Sequence, residues 1–155
     1  MPFTTTASNI LAQITDKARN LATRSAIEGL SFSIVGWSLG RGGYNDTNPV
    51  LVKPVVSSVT ALEDQVFPSP TAYQQFSATD FEYPNSRSLS CSCRIFMDTA
   101  AANYGVGEIG LWCKINNSPV TPAENGQTHL FAITHFPIQT ITLNTAKIFR
   151  VVVTF

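Results

Sequence analysis

Two segments have an apolar residue at every second position, and this pattern constrains the fold more than any other feature. The segment "LSCSCRIFM", residues 89–97, has an apolar side chain at every second position, and "EIGLWCKI", residues 108–115, repeats the pattern. Successive side chains of a β-strand point to opposite faces, so each segment predicts a strand with one buried face. Other apolar runs, "LSFSIVGWSL", "HLFAITHF" and "IFRVVVTF", are separated by Gly-, Pro- and Asn-rich segments. The sequence therefore predicts a mainly β fold, an antiparallel β-sandwich or a compact barrel.

The segment before Gly29 has a different periodicity. Its apolar residues recur at the three- and four-residue spacing of one helix face, at Ile10, Leu11, Ile14, Ala18, Leu21 and Ala22. This spacing predicts one amphipathic helix from Thr4 to about Ser25, with Thr6 or Ser8 as its N-cap and Gly29 just beyond its end. The predicted organisation is an N-terminal helix within residues 1–28 and one β-rich assembly domain over residues 29–155.

The charge composition bounds the classes of partner. Charged residues make up 13% of the chain, and ten basic and ten acidic residues cancel. A soluble domain typically has about 25% charged residues, so this surface carries little charge and no net repulsion, which favours assembly. The absence of clustered Lys and Arg argues against nucleic-acid binding. The sequence has neither a signal-peptide pattern nor an apolar run of ~18 residues, so we expect synthesis in the cytoplasm and no membrane insertion.

The three cysteines leave several alternatives open. Cys91 and Cys93 would point to the same side of a strand about 6.5–7 Å apart, beyond the ~5.5 Å that suits a disulfide. A zinc site would need Cys91, Cys93 and Cys113 together with His135 or His129, but a C-x-C spacing is not typical of zinc sites. The thiols lie in the apolar phase of their strands, which favours core filling, and we predict no cofactor. The third alternative is a disulfide through Cys113, or an intermolecular disulfide from any of the three.

The reactive residues do not form a recognisable catalytic motif. The thiols lie in mid-strand, and no serine lies in a G-x-S-x-G elbow. The loop "GRGG", residues 40–43, follows a strand as a phosphate-binding loop does, but no helix follows the loop. Glu108, at a predicted strand start, is expected to pair with Arg41 or Arg94 or to face water. We therefore predict no enzyme activity.

Two further groups of residues are candidates for binding. The last predicted strand is a candidate sheet edge, and an edge can pair with a neighbouring chain. Its alternate side chains are the expected partner contacts, namely Phe149, Val151, Val153 and Phe155. Trp37 and Trp112 are candidates for stacking against a glycan, because an aromatic face suits the C–H groups of a sugar.

Several stretches, taken in order, carry a resemblance to a known family. They are "IEGLSFSIVGWSLGRGGYNDTNPV", "TALEDQVFP", "GVGEIGLWCKI", "LFAITHFP" and "FRVVVTF". From about Ile27 to Phe155 the chain resembles the N-terminal, particle-attaching domain of tail-fibre and baseplate-associated proteins of contractile-tailed bacteriophages. The resemblance implies a non-enzymatic virion structural protein in the tail or baseplate, assembled with copies of itself, as trimers, and with other tail proteins. Two other functions stay open: a carbohydrate-binding module for the host surface, and a head or neck decoration protein of the same virion.

Overall fold

The regular structure of the described residues is almost entirely β-strand, with a single α-helix. The computed structural model describes residues 4–44, 51–97, 104–141 and 145–155. Its elements are β1 (Thr4–Ile14), α1 (Asp16–Glu28), β2 (Ser31–Gly40), β3 (Gln65–Phe67), β4 (Gln74–Gln75), β5 (Phe81–Asn85), β6 (Ser88–Met97), β7 (Tyr104–Asn117), β8 (Thr128–Ile141) and β9 (Thr145–Thr154). The predicted mainly β class is confirmed, and the five apolar runs are strands β2, β6, β7, β8 and β9.

The strands form one bent sheet with two layers. The strand order is β3-β2-β7-β8-β1-β9-β6-β5, and β4 also pairs with β2. The bend lies in β1, whose residues 4–12 pair with β9 while Gln13 and Ile14 pair with β8. Layer A comprises β5, β6, β9 and residues 4–12 of β1, and layer B comprises β2, β3, β4, β7 and β8. All described strand pairs are antiparallel except β1 with β9, which is parallel.

The main hydrophobic core lies between the two layers. Alternate residues of β6 face alternate residues of β7 across it, and both sets are buried: Leu89, Cys91, Cys93 and Ile95 from layer A, and Ile109, Leu111, Cys113 and Ile115 from layer B. The rings of Phe136 on β8 and Phe149 on β9 lie 5.4 Å apart and join the layers directly. The alternation in the sequence therefore reports the inner face of each layer correctly.

The helix begins later than the sequence predicts. Residues 4–14 form a strand, and α1 starts at Asp16, where the Thr15 hydroxyl caps it by accepting from the Ala18 N–H at 3.2 Å. The predicted start at Thr4 and the caps Thr6 and Ser8 are wrong. Alternate residues of β1, such as Ile10 and Ile14, pack against the core, and β-branched threonines favour an extended backbone over a helix. The helix continues to Glu28, three residues beyond the predicted Ser25, and Gly29 follows it as predicted with φ of 75°.

Strand β9 is not the edge that the sequence predicts. It lies between β1 and β6, and the side chains of Phe149, Val151 and Val153 are fully buried. These three residues therefore cannot be partner contacts in this fold. Apolar alternation indicates that one face of a strand is buried, but it does not indicate whether the strand lies at a sheet edge. Phe155, just beyond β9, is 64% exposed. Among the described residues, no helix is long and apolar enough to cross a membrane.

Candidate functional site

The three thiols fill the core. Cys91, Cys93 and Cys113 are free and fully buried, and Cys113 Sγ lies 3.5 Å from the carbonyl oxygen of His129. Burial raises the pKa of Cys91 to about 12 and the pKa of Cys113 to about 11, and it raises the pKa of Cys93 well above its ordinary value. Such thiols are neutral and shielded, so they offer neither a nucleophile nor a group that reaches a second chain in this fold.

The residues of the candidate zinc site do not converge. Cys91 and Cys93 belong to layer A and Cys113 to layer B, all on the inner face. The His135 imidazole lies elsewhere, where its Nδ1 donates to the carbonyl of Lys53 at 2.9 Å. Within the described ranges, no group of three or more His, Cys, Asp and Glu side chains is placed to hold a metal ion.

The two tryptophans lie on opposite faces of layer B. Trp37 is 2% exposed and packs in the core with its ring 5.3 Å from the ring of Phe67. It cannot stack against a glycan, so that prediction is wrong for Trp37. Trp112 is half-buried on the outer face, where its indole Nε1 donates to the Ser38 hydroxyl at 2.8 Å. This ring lines a cavity of about 370 Å³ between the sheet and residues 61–73.

A buried carboxylate on the outer face of layer B holds three segments together. Glu108 is fully buried, and it neither pairs with Arg41 or Arg94 nor faces water. Its Oε1 accepts from the N–H groups of Gly42 at 3.3 Å and Asp64 at 2.8 Å, and its Oε2 accepts from the N–H of Glu63 at 3.0 Å. Backbone donors of this kind stabilise a buried charge, and we call the arrangement the Glu108 clasp.

His135 lies beside the Glu108 clasp, and the missing side chain of Gly42 leaves space for the Glu108 carboxylate. The Nε2 of His135 lies 4.0 Å from Glu108 Oε2. A Cβ atom at Gly42 would lie 2.5 Å from the Glu63 Cβ and 2.9 Å from Glu108 Oε1, so no larger residue fits without displacement. The glycine-rich turn that resembles a phosphate loop therefore lets the backbone at Gly42 lie close to the Glu108 carboxylate. The sequence gives no sign of this contact.

Among the described residues β2 and β5 do not pair, so the sheet stays open there and leaves a gap between two strand edges. On the side away from β7, β2 pairs with β4 at Gly36 and Trp37 and with β3 at Leu39 and Gly40, so residues 31–34 have no strand partner there among the described residues. Strand β5 lies at the other end of the strand order and pairs with β6 alone. We call the space between these two edges the β2–β5 opening.

Apolar side chains line the β2–β5 opening. A cavity of about 310 Å³ lies between Ser33 and Ile34 of β2 and Phe81, Tyr83 and Leu89 of β5 and β6. It shares Ser33 and Ile34 with a second cavity of about 380 Å³ beside α1. The wall of that second cavity is formed mainly by apolar residues, with one charged residue among them: Ile14, Ala18, Arg19, Ala22, Phe32, Phe131 and Phe155. Exposed apolar surface next to unpaired backbone groups is typical of a site that accepts a strand.

The chain matches no protein-family model, and comparisons with curated proteins and with solved structures give no significant match. Three features of the structure bear on function: the Glu108 clasp, the β2–β5 opening and the cavity at Trp112.

Proposed function

We propose that this chain is a non-enzymatic structural protein of a virion, a tail-fibre or fibre-anchoring baseplate component that assembles with copies of itself and joins fibres to the tail. The β2–β5 opening is the observation that carries the proposal. A free strand edge beside an apolar cavity supports pairing with an extended segment of a neighbouring chain, since the backbone groups gain partners while apolar side chains leave water.

The placement of the family-like stretches supports a structural role. Four of them contribute to the Glu108 clasp: Gly42 lies in "GRGG", Glu63 and Asp64 in "TALEDQVFP", Glu108 in "GVGEIG", and His135 in "LFAITHFP". These residues thus hold loops on a sheet, and three backbone N–H groups among them occupy the Glu108 carboxylate. These contacts favour a structural role for the residues, because a catalytic site needs polar groups directed at a substrate.

The assembly state can be tested with two matched variants. Tyr83 at the β2–β5 opening is 77% exposed, and Val120 in the turn after β7 is 65% exposed, so neither substitution disturbs the core. We expect the wild-type protein to form oligomers, trimers by analogy with the fibre proteins, in light scattering coupled to gel filtration. Tyr83→Lys should shift the oligomer to monomer, and Val120→Lys should leave it intact.

Two outcomes of these measurements would contradict the assembly proposal. A wild-type monomer at every micromolar concentration contradicts self-assembly, and equal effects of the two variants contradict the β2–β5 opening as the interface. The location in the virion needs a separate measurement, namely electron microscopy of assembled particles in which the chain carries a density label. A label at the tail or baseplate supports the proposal, whereas a label at the head or neck supports the decoration-protein alternative.

A further inference from the structure

The outer face of layer B carries a second cavity that the assembly proposal does not use. This cavity, of about 370 Å³, lies between the sheet and the segments 61–65 and 70–73, and Trp112 and Thr128 contribute the sheet side. Its volume lies within the range of small-molecule sites, which begins at about 300 Å³. The β2–β5 opening is lined by other residues, so the two sites are separate.

Two aromatic side chains are held at this cavity. The Trp112 ring is fixed by the hydrogen bond from its Nε1 to Ser38. Gly36 pairs with Trp112 across the strands, and a Cβ atom at Gly36 would collide with the ring of Tyr73. Gly36 therefore leaves the space in which the Tyr73 ring lies against the sheet, on the same outer face as Trp112.

The loop that forms the far wall is fixed by its own hydrogen bonds. The Gln65 side-chain amide donates to the carbonyl oxygens of Ser69 at 2.8 Å and Ala72 at 2.6 Å. The Ser69 hydroxyl accepts from the backbone N–H of Ala72 at 3.1 Å. A site with walls ordered before binding loses less conformational entropy when a ligand enters.

Polar groups at the cavity have free hydrogen-bonding capacity. The side chains of Asp64, Thr71, Tyr73 and Thr128 make no hydrogen bond or ion pair with any described residue. The neighbouring Glu63 carboxylate is different, because the Lys53 ammonium binds it at 2.7 Å. Glu63 and Asp64 both line the cavity, so it offers the unpaired Asp64 carboxylate, three hydroxyls and the indole of Trp112, and no Lys or Arg lines it.

We propose that this cavity binds a neutral saccharide of one or two units. An aromatic face packs against the C–H groups of a sugar ring, while carboxylate and hydroxyl oxygens accept and donate to its hydroxyls. The Asp64 carboxylate, with no cation beside it in the lining, disfavours uronic and sialic acids through like-charge repulsion. The proposal retains the role predicted for Trp112 and replaces Trp37 with Tyr73 and Asp64.

The probe is an array of immobilised glycans that displays neutral hexoses, N-acetylhexosamines and uronic acids. We expect the wild-type protein to bind neutral members and not uronic acids, and Asp64→Ala and Tyr73→Ala to reduce binding at least tenfold. The backbone N–H of Asp64 stays in the Glu108 clasp in both variants, and melting temperatures check that both are folded. Val120→Ala, at an exposed residue outside both the cavity and the β2–β5 opening, is the control, and its binding should equal that of the wild type.

Tryptophan fluorescence gives a second readout. Trp37 is buried, so quenching by acrylamide reports Trp112, and a bound neutral sugar should reduce that quenching. The proposal is overturned if no neutral glycan binds, if uronic acids bind as well, or if Asp64→Ala binds like the wild type. None of these outcomes bears on self-assembly, because the assembly test uses the separate β2–β5 opening.

Discussion

The outer faces of the two layers differ, although the layers share one core. On layer B, residues 51–64 cover the sheet, and Val55, Val59 and Leu62 form a small second cluster with Leu130 and Ile133 of β8. On the outer face of layer A, Ser90 and Ser92 are buried, whereas Leu11 is 76% exposed and Arg94 and Arg150 are also exposed. Within the part of the chain that the structure describes, the outer face of layer B is therefore covered, whereas part of the outer face of layer A and the β2–β5 opening are exposed to contacts with other molecules.

Small residues explain why layer B can be covered so closely. Gly36, Ser38 and Gly110 lie on its outer face, where a Cβ atom at Gly110 would collide with Leu62 and Leu130. The covering segment therefore packs almost onto the backbone of the sheet, and the Glu108 clasp fixes its end. The described residues of layer A show no equivalent buried carboxylate on the outer face.

The largest expected effect comes from removing the clasp. Glu108→Ala leaves three backbone N–H groups without their acceptor, so we expect the free energy of unfolding to fall by about 3 kcal/mol. Glu108→Gln should lose less, because its carbonyl oxygen still accepts from part of the set. Chemical denaturation with fluorescence detection measures both changes.

Arg94→Ala removes an ion pair on layer A and is the counterpart of Glu108→Ala on layer B. The pair of variants tests whether the outer faces of the two layers differ in how strongly they are held. Arg94 bonds to Asp80 at 3.3 Å, but its side chain is 60% exposed, so its loss should cost no more than about 1 kcal/mol. Equal losses for Glu108→Ala and Arg94→Ala would contradict the view that only the outer face of layer B is fixed by a buried interaction.

An intermediate effect is expected for the thiols, which lie in both layers. At pH 8 in the native protein, Cys91, Cys93 and Cys113 should react with an aromatic disulfide reagent at least about a hundredfold more slowly than an exposed cysteine, because their raised pKa values suppress the thiolate. In denaturant, all three should react at once. Fast native reaction of Cys91 and Cys93 alone would mean that layer A opens locally, which would sharpen the contrast between the layers.

The smallest effect is the pH dependence of the Lys53–Glu63 pair beside the clasp. The hydrogen bond from Lys53 holds the pKa of the Glu63 carboxyl below its ordinary value, so the pair stabilises the fold above that value and loses its effect as pH falls through the lowered one. Both side chains are partly exposed, so screening limits the gain to about 0.5 kcal/mol. The stability difference between wild type and Glu63→Gln should shrink from pH 7 to pH 4, and a constant difference would contradict it.

The sequence predicts the core better than the binding surfaces. Strict alternation places Cys91, Cys93 and Cys113 correctly, since burial of every second residue leaves a direct signal. The same alternation puts Trp112 on the face opposite Leu111 and Cys113. It leaves Trp37 undecided, because the adjacent Ile34 and Val35 interrupt the alternation of its strand. Glu108 gives no local signal either, because its three donors come from segments 44 to 66 residues away.

The N-terminal error has a similar cause. Ile10, Leu11 and Ile14 fit a helical spacing, and Ile10, Ala12 and Ile14 fit a strand equally well. The partner that decides between them is β9, at the other end of the chain. A decision that depends on so distant a contact cannot be made from local periodicity.

The place of β9 between β1 and β6 has a consequence for the order of events during synthesis. Layer A lacks the strand between β1 and β6 until residues 145–154 have left the ribosome. Residues 4–12 of β1 therefore stay unpaired with β9 while residues 13–144 are synthesised. Layer B can pair β2, β7 and β8 earlier, through contacts that are closer in sequence. We therefore expect nascent chains stopped before residue 145 to expose the inner side of β6 to chaperones.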